Sequence, residues 1–163
     1  MMTARILIPC GAAAILSACT LVDRSPAACE LLSAEEIASV LQTPGVRQAN
    51  GSGFDTATGI DTCRWAADNQ PALELRLYRA DSSAESAWRM VFESAKVHAT
   101  KPDAAGRPGA HGLSGVGDDA MFLPGSGGDA SVAFRVGRTG AVLGGRTSED
   151  ALVDLAKRAA GRL

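Results

Sequence analysis

Ala72-Leu73-Glu74-Leu75-Arg76-Leu77-Tyr78-Arg79 alternates apolar and polar side chains with a period of two. Successive side chains of a β-strand point to opposite faces. Leu73, Leu75 and Leu77 therefore share one face, and Glu74, Arg76 and Tyr78 share the other. Such alternation marks a strand with one buried and one more exposed face. Residues 60–66, just upstream, also read as a strand, with Cys63 and Trp65 on one face. Asp68-Asn69-Gln70-Pro71 turns the chain between the two, which predicts a β-hairpin.

Outward from this hairpin the period changes. Ser82-Ser83-Ala84-Glu85 is a capping box, in which the serine and glutamate side chains satisfy the first amide donors of a helix. It opens a predicted helix running to about Lys96, with Ala84, Trp88, Val91, Phe92 and Ala95 as its apolar stripe. Residues 98–112 are rich in glycine and proline and read as a long irregular loop, a feature that is uncommon in compact domains and often functional. Three strands follow, at 119–123, 131–136 and 141–146, with Val132, Phe134 and Val136 as the apolar face of the middle one. Thr147 or Ser148 caps a last helix carrying Leu152, Leu155, Ala156 and Ala159.

On the other side of the hairpin, Ser33-Ala34-Glu35-Glu36 is a first capping box. It predicts a helix over 34–42, with Ile37, Val40 and Leu41 at helical spacing, Leu31 or Leu32 as the staple at its entry, and Thr43-Pro44-Gly45 as its stop. A candidate strand lies near Val46, and residues 51–59 are polar and turn-prone. The order is helix, two or three strands, helix, three strands, helix. Runs of neighbouring strands predict an α+β domain, an antiparallel sheet with helices packed on it. Trp65, Trp88, Phe92, Phe122 and Phe134 are the expected bulk of its core.

The chain opens with Met1-Met2-Thr3-Ala4-Arg5, followed by an apolar stretch over 6–18. A basic start, a short apolar run and then small residues are the marks of an export signal. A membrane-spanning helix needs about 20 apolar residues, so this run is expected to be a leader rather than a permanent span. It ends in Leu16-Ser17-Ala18-Cys19, which resembles the lipobox of bacterial lipoproteins: an aliphatic residue, two small residues, then the cysteine that takes a diacylglyceryl thioether. The reading is a signal peptide at 1–18, a lipidated tether at 19–28 and one domain at 29–163. Two or more acyl chains hold a protein firmly to a membrane. The expected place is the extracytoplasmic side, with an outer membrane as the address where the source has one, because Thr20 is not the aspartate of inner-membrane retention.

Four cysteines are present. Cys10 leaves with the signal and Cys19 takes the lipid. Cys29 and Cys63 remain in an oxidising compartment, where an even remainder of two reads as one disulfide. The chain has 16 basic and 18 acidic side chains. The basic ones are scattered singly, which argues against a nucleic-acid partner, since that needs a concentrated basic face.

Three motifs follow one another along the chain: Cys29-Glu30-Leu31-Leu32-Ser33-Ala34-Glu35-Glu36-Ile37, then Cys63-Arg64-Trp65, then Gly115-Val116-Gly117-Asp118-Asp119-Ala120. In that order they resemble small lipoproteins of a domain-of-unknown-function family common in actinobacteria. The resemblance spans about residues 29–163. It implies the Cys29–Cys63 bridge and an α+β sheet domain, and it brings no activity or site with it.

Candidate chemistry is sparse. His98 and His111 border or lie in the 98–112 loop and have Asp103 or Asp118 as candidate co-ligands, but no HxxxH or HExxH spacing supports a metal site. Gly51-Ser52-Gly53 and Gly125-Ser126-Gly127 lack the five-residue GxSxG pattern of a nucleophile turn. No lysine–threonine pair or helix follows Gly125-Ser126-Gly127-Gly128, so it is not a P-loop. Asp118-Asp119 is a candidate carboxylate pair, although Asp118 reads better as the cap of a tight turn, bonding local amides. No cofactor or metal is expected. The function expected is a non-catalytic binding or accessory module of the envelope, with a protein, lipid or wall component as partner. The alternative is an envelope hydrolase using His111 and Asp118.

Overall fold

A computed structural model describes residues 25–68, 70–79, 83–98 and 109–163. The expected export signal, Cys19, most of the tether, Ser82 of the second capping box and residues 99–108 of the glycine- and proline-rich loop lie outside the described residues.

A 3₁₀ turn at Ala28–Glu30 leads into helix α1 (Ala34–Leu41). Strands β1 (Arg47–Gln48), β2 (Gly53–Asp55), β3 (Ile60–Ala67) and β4 (Gln70–Tyr78) follow, then helix α2 (Ser83–His98). Strands β5 (His111–Gly112), β6 (Asp119–Pro124), β7 (Ala130–Val136) and β8 (Thr139–Gly145) precede helix α3 (Glu149–Ala160). The strands form one antiparallel sheet in the order β1-β3-β4-β8-β7-β6-β5, with β2 also pairing β3. The fold is α+β, as the strand and helix periods require.

The first capping box forms in full. Ser33 Oγ accepts from the Glu36 amide at 3.2 Å, and a Glu36 carboxylate oxygen accepts from the Ser33 amide at 3.0 Å. Ser148, rather than Thr147, caps α3 by accepting from the Ala151 amide. The β3–β4 turn is tighter than its sequence suggests. Ala67 pairs with Gln70, and Asp68 takes a left-handed conformation. Pro71 enters β4 beside a register shift at Trp65/Ala66, the kind of irregularity at which a strand tolerates a residue without an amide proton.

One face of the sheet is covered along its length and the other at one end. On the first, Leu73, Leu75 and Leu77 are buried with Cys63, Trp65 and Phe134. Ile37 of α1 and Leu152 and Leu155 of α3 close this layer. Cys29 and Cys63 are bridged, which ties the 3₁₀ turn to the middle of β3. Beside the bridge lies Asp61, the one buried charged side chain among the described residues. Its carboxylate accepts from the Ala28 amide at 2.9 Å and lies 3.5 Å from the Arg79 guanidinium, which itself donates to the Pro26 carbonyl at 2.9 Å. The chain therefore enters the domain along the end of β4.

On the second face, α2 lays Trp88 and Phe92 over Tyr78, Met121 and Ala133. This corrects the reading of Tyr78 as a residue of the more exposed face: it is 5% exposed. Period two assigned the face rightly, but α2 covers this end of it. Val91, expected in the buried stripe of α2, is exposed, because only a narrow strip centred on Trp88 and Phe92 reaches the sheet. Two short strands also depart from expectation. β2 falls within the turn-prone 51–59 segment; all three of its residues are exposed, so it left no apolar pattern to read. β5 falls at the end of the expected 98–112 loop and pairs His111 and Gly112 with Phe122 and Met121.

Candidate functional site

The strand register pairs Asp119 with Arg135, Arg135 with Gly140, Gly140 with Tyr78, and Tyr78 with Ile60. Directly opposed residues of antiparallel strands lie on the same face. These five therefore form one row across an end of the sheet, on the side that α2 covers. Helix α2 runs over this row, with Trp88 against Gly140 of β8 and Lys96 Nζ 3.4 Å from an Asp119 carboxylate oxygen of β6. Gly140 is required where it stands, since a β-carbon there would overlap the Trp88 indole. Trp88 and Phe92 stack with ring centroids 4.9 Å apart, and Lys96 Nζ lies 4.5 Å from the Phe92 centroid. The Trp88 indole nitrogen is buried and meets no acceptor among the described residues.

Between α2 and the β7–β8 hairpin runs an open groove of about 880 Å³. Tyr78, Trp88 and Phe92 give it an aromatic floor. One wall is the side of α2 carrying Glu85, Arg89, Glu93 and Lys96; the other carries Asp119, Arg135 and Arg138. Each lining carboxylate already faces a cation: Glu85 lies 2.8 Å from Arg89, and Lys96 lies 3.8 Å from Glu93 and 3.4 Å from Asp119. The guanidinium of Arg135 donates to the Gly137 carbonyl at 2.8 Å and forms no ion pair among the described residues, although Asp119 stands opposite Arg135 across the strands. Neither does Arg138, exposed at the hairpin tip. Positive charge is thus left open on the hairpin wall.

The sequence-read candidates are not brought together as one site. His111 sits between two acceptors, with Nδ1 2.9 Å from the Gly109 carbonyl and Nε2 2.8 Å from a Glu149 carboxylate oxygen. The bond to Gly109 raises its pKa above the ordinary histidine value, burial opposes this, and Glu149 adds to the rise. Asp118 is engaged elsewhere. Its carboxylate accepts from the Gly137 amide at 2.6 Å, and its own amide donates to the Arg135 carbonyl at 2.7 Å. This corrects the reading of Asp118 as the cap of its own tight turn: among the described residues its carboxylate bonds no local amide but reaches the Gly137 amide at the tip of the neighbouring β7–β8 hairpin. Among the described residues, no group of three or more histidine, cysteine, aspartate or glutamate side chains is placed to hold a metal ion. Cys29 and Cys63 form the expected disulfide, and Cys19 lies outside the described residues. The groove was missed in the sequence because its walls come from separate segments; the usable signals were an aromatic residue, Tyr78, on the polar face of its strand and a glycine, Gly140, at the start of β8.

No protein-family model matches the chain, and no curated protein matches it. Among solved structures the chain is similar to a GTP binding regulator from Thermotoga maritima, at 13% identity over 80% of this chain and 88% of that chain. The TM-score is 0.43, and at that level the likeness carries no argument.

Proposed function

We propose that this chain is a lipid-anchored domain of the cell envelope, exported by residues 1–18, acylated on Cys19, and acting as a non-catalytic binding module. The observation that carries the reading is the Cys29–Cys63 bridge. Disulfides persist in oxidising compartments and are rare in the cytosol, and this one begins ten residues after a lipobox cysteine. The binding role rests on the groove, a concave surface with an aromatic floor and a few convergent polar groups, the usual make-up of a ligand site. The hydrolase alternative draws no support from geometry, since His111 and Asp118 are bonded to different partners.

The test is a photo-reactive residue placed at Arg89, on the α2 wall of the groove, in intact cells, with Ser126, before β7, as the control position. A reproducible adduct from position 89, absent from position 126, is the expected result. Identical labelling from both positions would contradict a binding role for the groove.

A further inference from the structure

The point where the chain enters the domain and the mouth of the groove lie at the same end of the sheet. Pro26 is held by Arg79, the residue after β4. Ala28 is held by Asp61, which pairs with Leu77 one position before Tyr78. The groove is built on the row Asp119, Arg135, Gly140 and Tyr78, and the hairpin tip carrying Arg138 closes the same end. Seven residue steps separate Cys19 from Pro26. Even fully extended they span at most about 25 Å. A lipid on Cys19 therefore keeps this end of the domain within one short tether of the membrane, with the entering chain held on the Leu77 face by Asp61 and the groove on the Tyr78 face of the same end.

We infer that the α2 groove is a membrane-facing site for an anionic phospholipid, with Arg135 and Arg138 taking the phosphate and Tyr78, Trp88 and Phe92 flooring the headgroup. The inference rests on the lipid-anchor reading and adds an orientation and a ligand class to it. Chemistry and position agree. Guanidinium matches a phosphate with paired donors; neither arginine forms an ion pair among the described residues, and because Lys96 is shared by Glu93 and Asp119, the lining keeps a single excess positive charge. Asp118, just outside the lining, is engaged by the Gly137 amide. Tyrosine and tryptophan suit a place with one apolar and one wet side. A soluble anion would need no such placement beside the tether.

The test uses protein taken from its native membranes in neutral detergent, with Trp65→Phe so that Trp88 alone reports. Its emission is followed on titration with short-chain phosphatidylglycerol, short-chain phosphatidylcholine or glycerol 3-phosphate. Saturable binding of phosphatidylglycerol is expected, at least tenfold tighter than of phosphatidylcholine. Arg138→Gln, at an exposed tip where folding is not at stake, should weaken it about fivefold, and adding Arg135→Gln should weaken it by about as much again. Equal responses to the two lipids, or no change in the arginine variants, would overturn the inference while leaving the anchor untouched. Equal affinity for glycerol 3-phosphate would overturn the lipid source in favour of a soluble anion. An unacylated Cys19 in the same preparation, read by mass, would remove the anchor and the inference with it.

Discussion

A β-carbon on Gly140 would run into the indole of Trp88, and Trp88 is 7% exposed beneath α2. Overpacking a well-packed site costs about 1–3 kcal/mol. Gly140→Val should therefore lower stability by that amount and shift tryptophan emission to the red, both read in one urea titration. His111 offers a pH-dependent case. Both atoms facing its ring nitrogens are acceptors, a neutral imidazole has one N–H, and only the protonated ring satisfies both. Its folded pKa is raised, so its contribution is complete below the ordinary histidine value and lost as pH rises through the folded one. The side chains of His111 and Glu149 are 40% and 33% exposed, which keeps the effect below about 1 kcal/mol. Between about pH 6 and pH 8 the protein should lose this increment, and His111→Gln should abolish the dependence. An unchanged slope in the variant would disconnect His111 from it.

Helix α1 is joined to the end of the chain through Glu36. The same carboxylate completes the capping box and meets Arg162, whose guanidinium also donates to the Leu31 carbonyl at 2.6 Å. The Arg162 hydrogen bond, followed by the Ser33 amide, lowers the Glu36 pKa to about 2. A depressed carboxylate contributes stability above its unfolded value and loses it as pH falls through the folded one. Glu36→Ala should cost about 1 kcal/mol near neutrality, most of it from the lost cap, and the difference from the parent should close as pH falls below about 4 and toward 2. Urea midpoints across that range check it. These elements also mark what could be read in advance. α1, β3, β4 and α3 were legible because each pairs a strong local signal with a buried face: a capping box, Cys63 and Trp65 or leucines at period two, or leucines at helical spacing. β2 and β5 were not, because two or three exposed residues held only by backbone pairing leave no apolar periodicity. The α2 stripe was legible at Trp88 and Phe92 and overextended at Val91.

Over the whole molecule, the Cys29–Cys63 bridge closes a loop of sequence separation 34. Chain-entropy reasoning gives such a loop about 3–4 kcal/mol. Cys29→Ser with Cys63→Ser should lower the unfolding free energy by that amount, with the native far-UV spectrum retained at low temperature; a loss below about 1 kcal/mol would contradict the stapling role. The sheet class and the bridge could be read from sequence, since periodicity and cysteine parity are local or countable. The groove could not, since Tyr78, Trp88, Arg135 and Gly140 become neighbours only through strand register and the path of α2. What they make together, a groove with an aromatic floor and open arginines at the end of the sheet where the chain enters, has a role at a membrane only where the chain is anchored to one. The most direct measurement is therefore intact mass spectrometry of the protein from its native membranes, with and without reductant and alkylation. A chain beginning at Cys19 with acyl groups attached, and two thiols released only on reduction, is the predicted result. A chain without lipid, or with Cys29 and Cys63 free, would contradict the anchored, bridged domain.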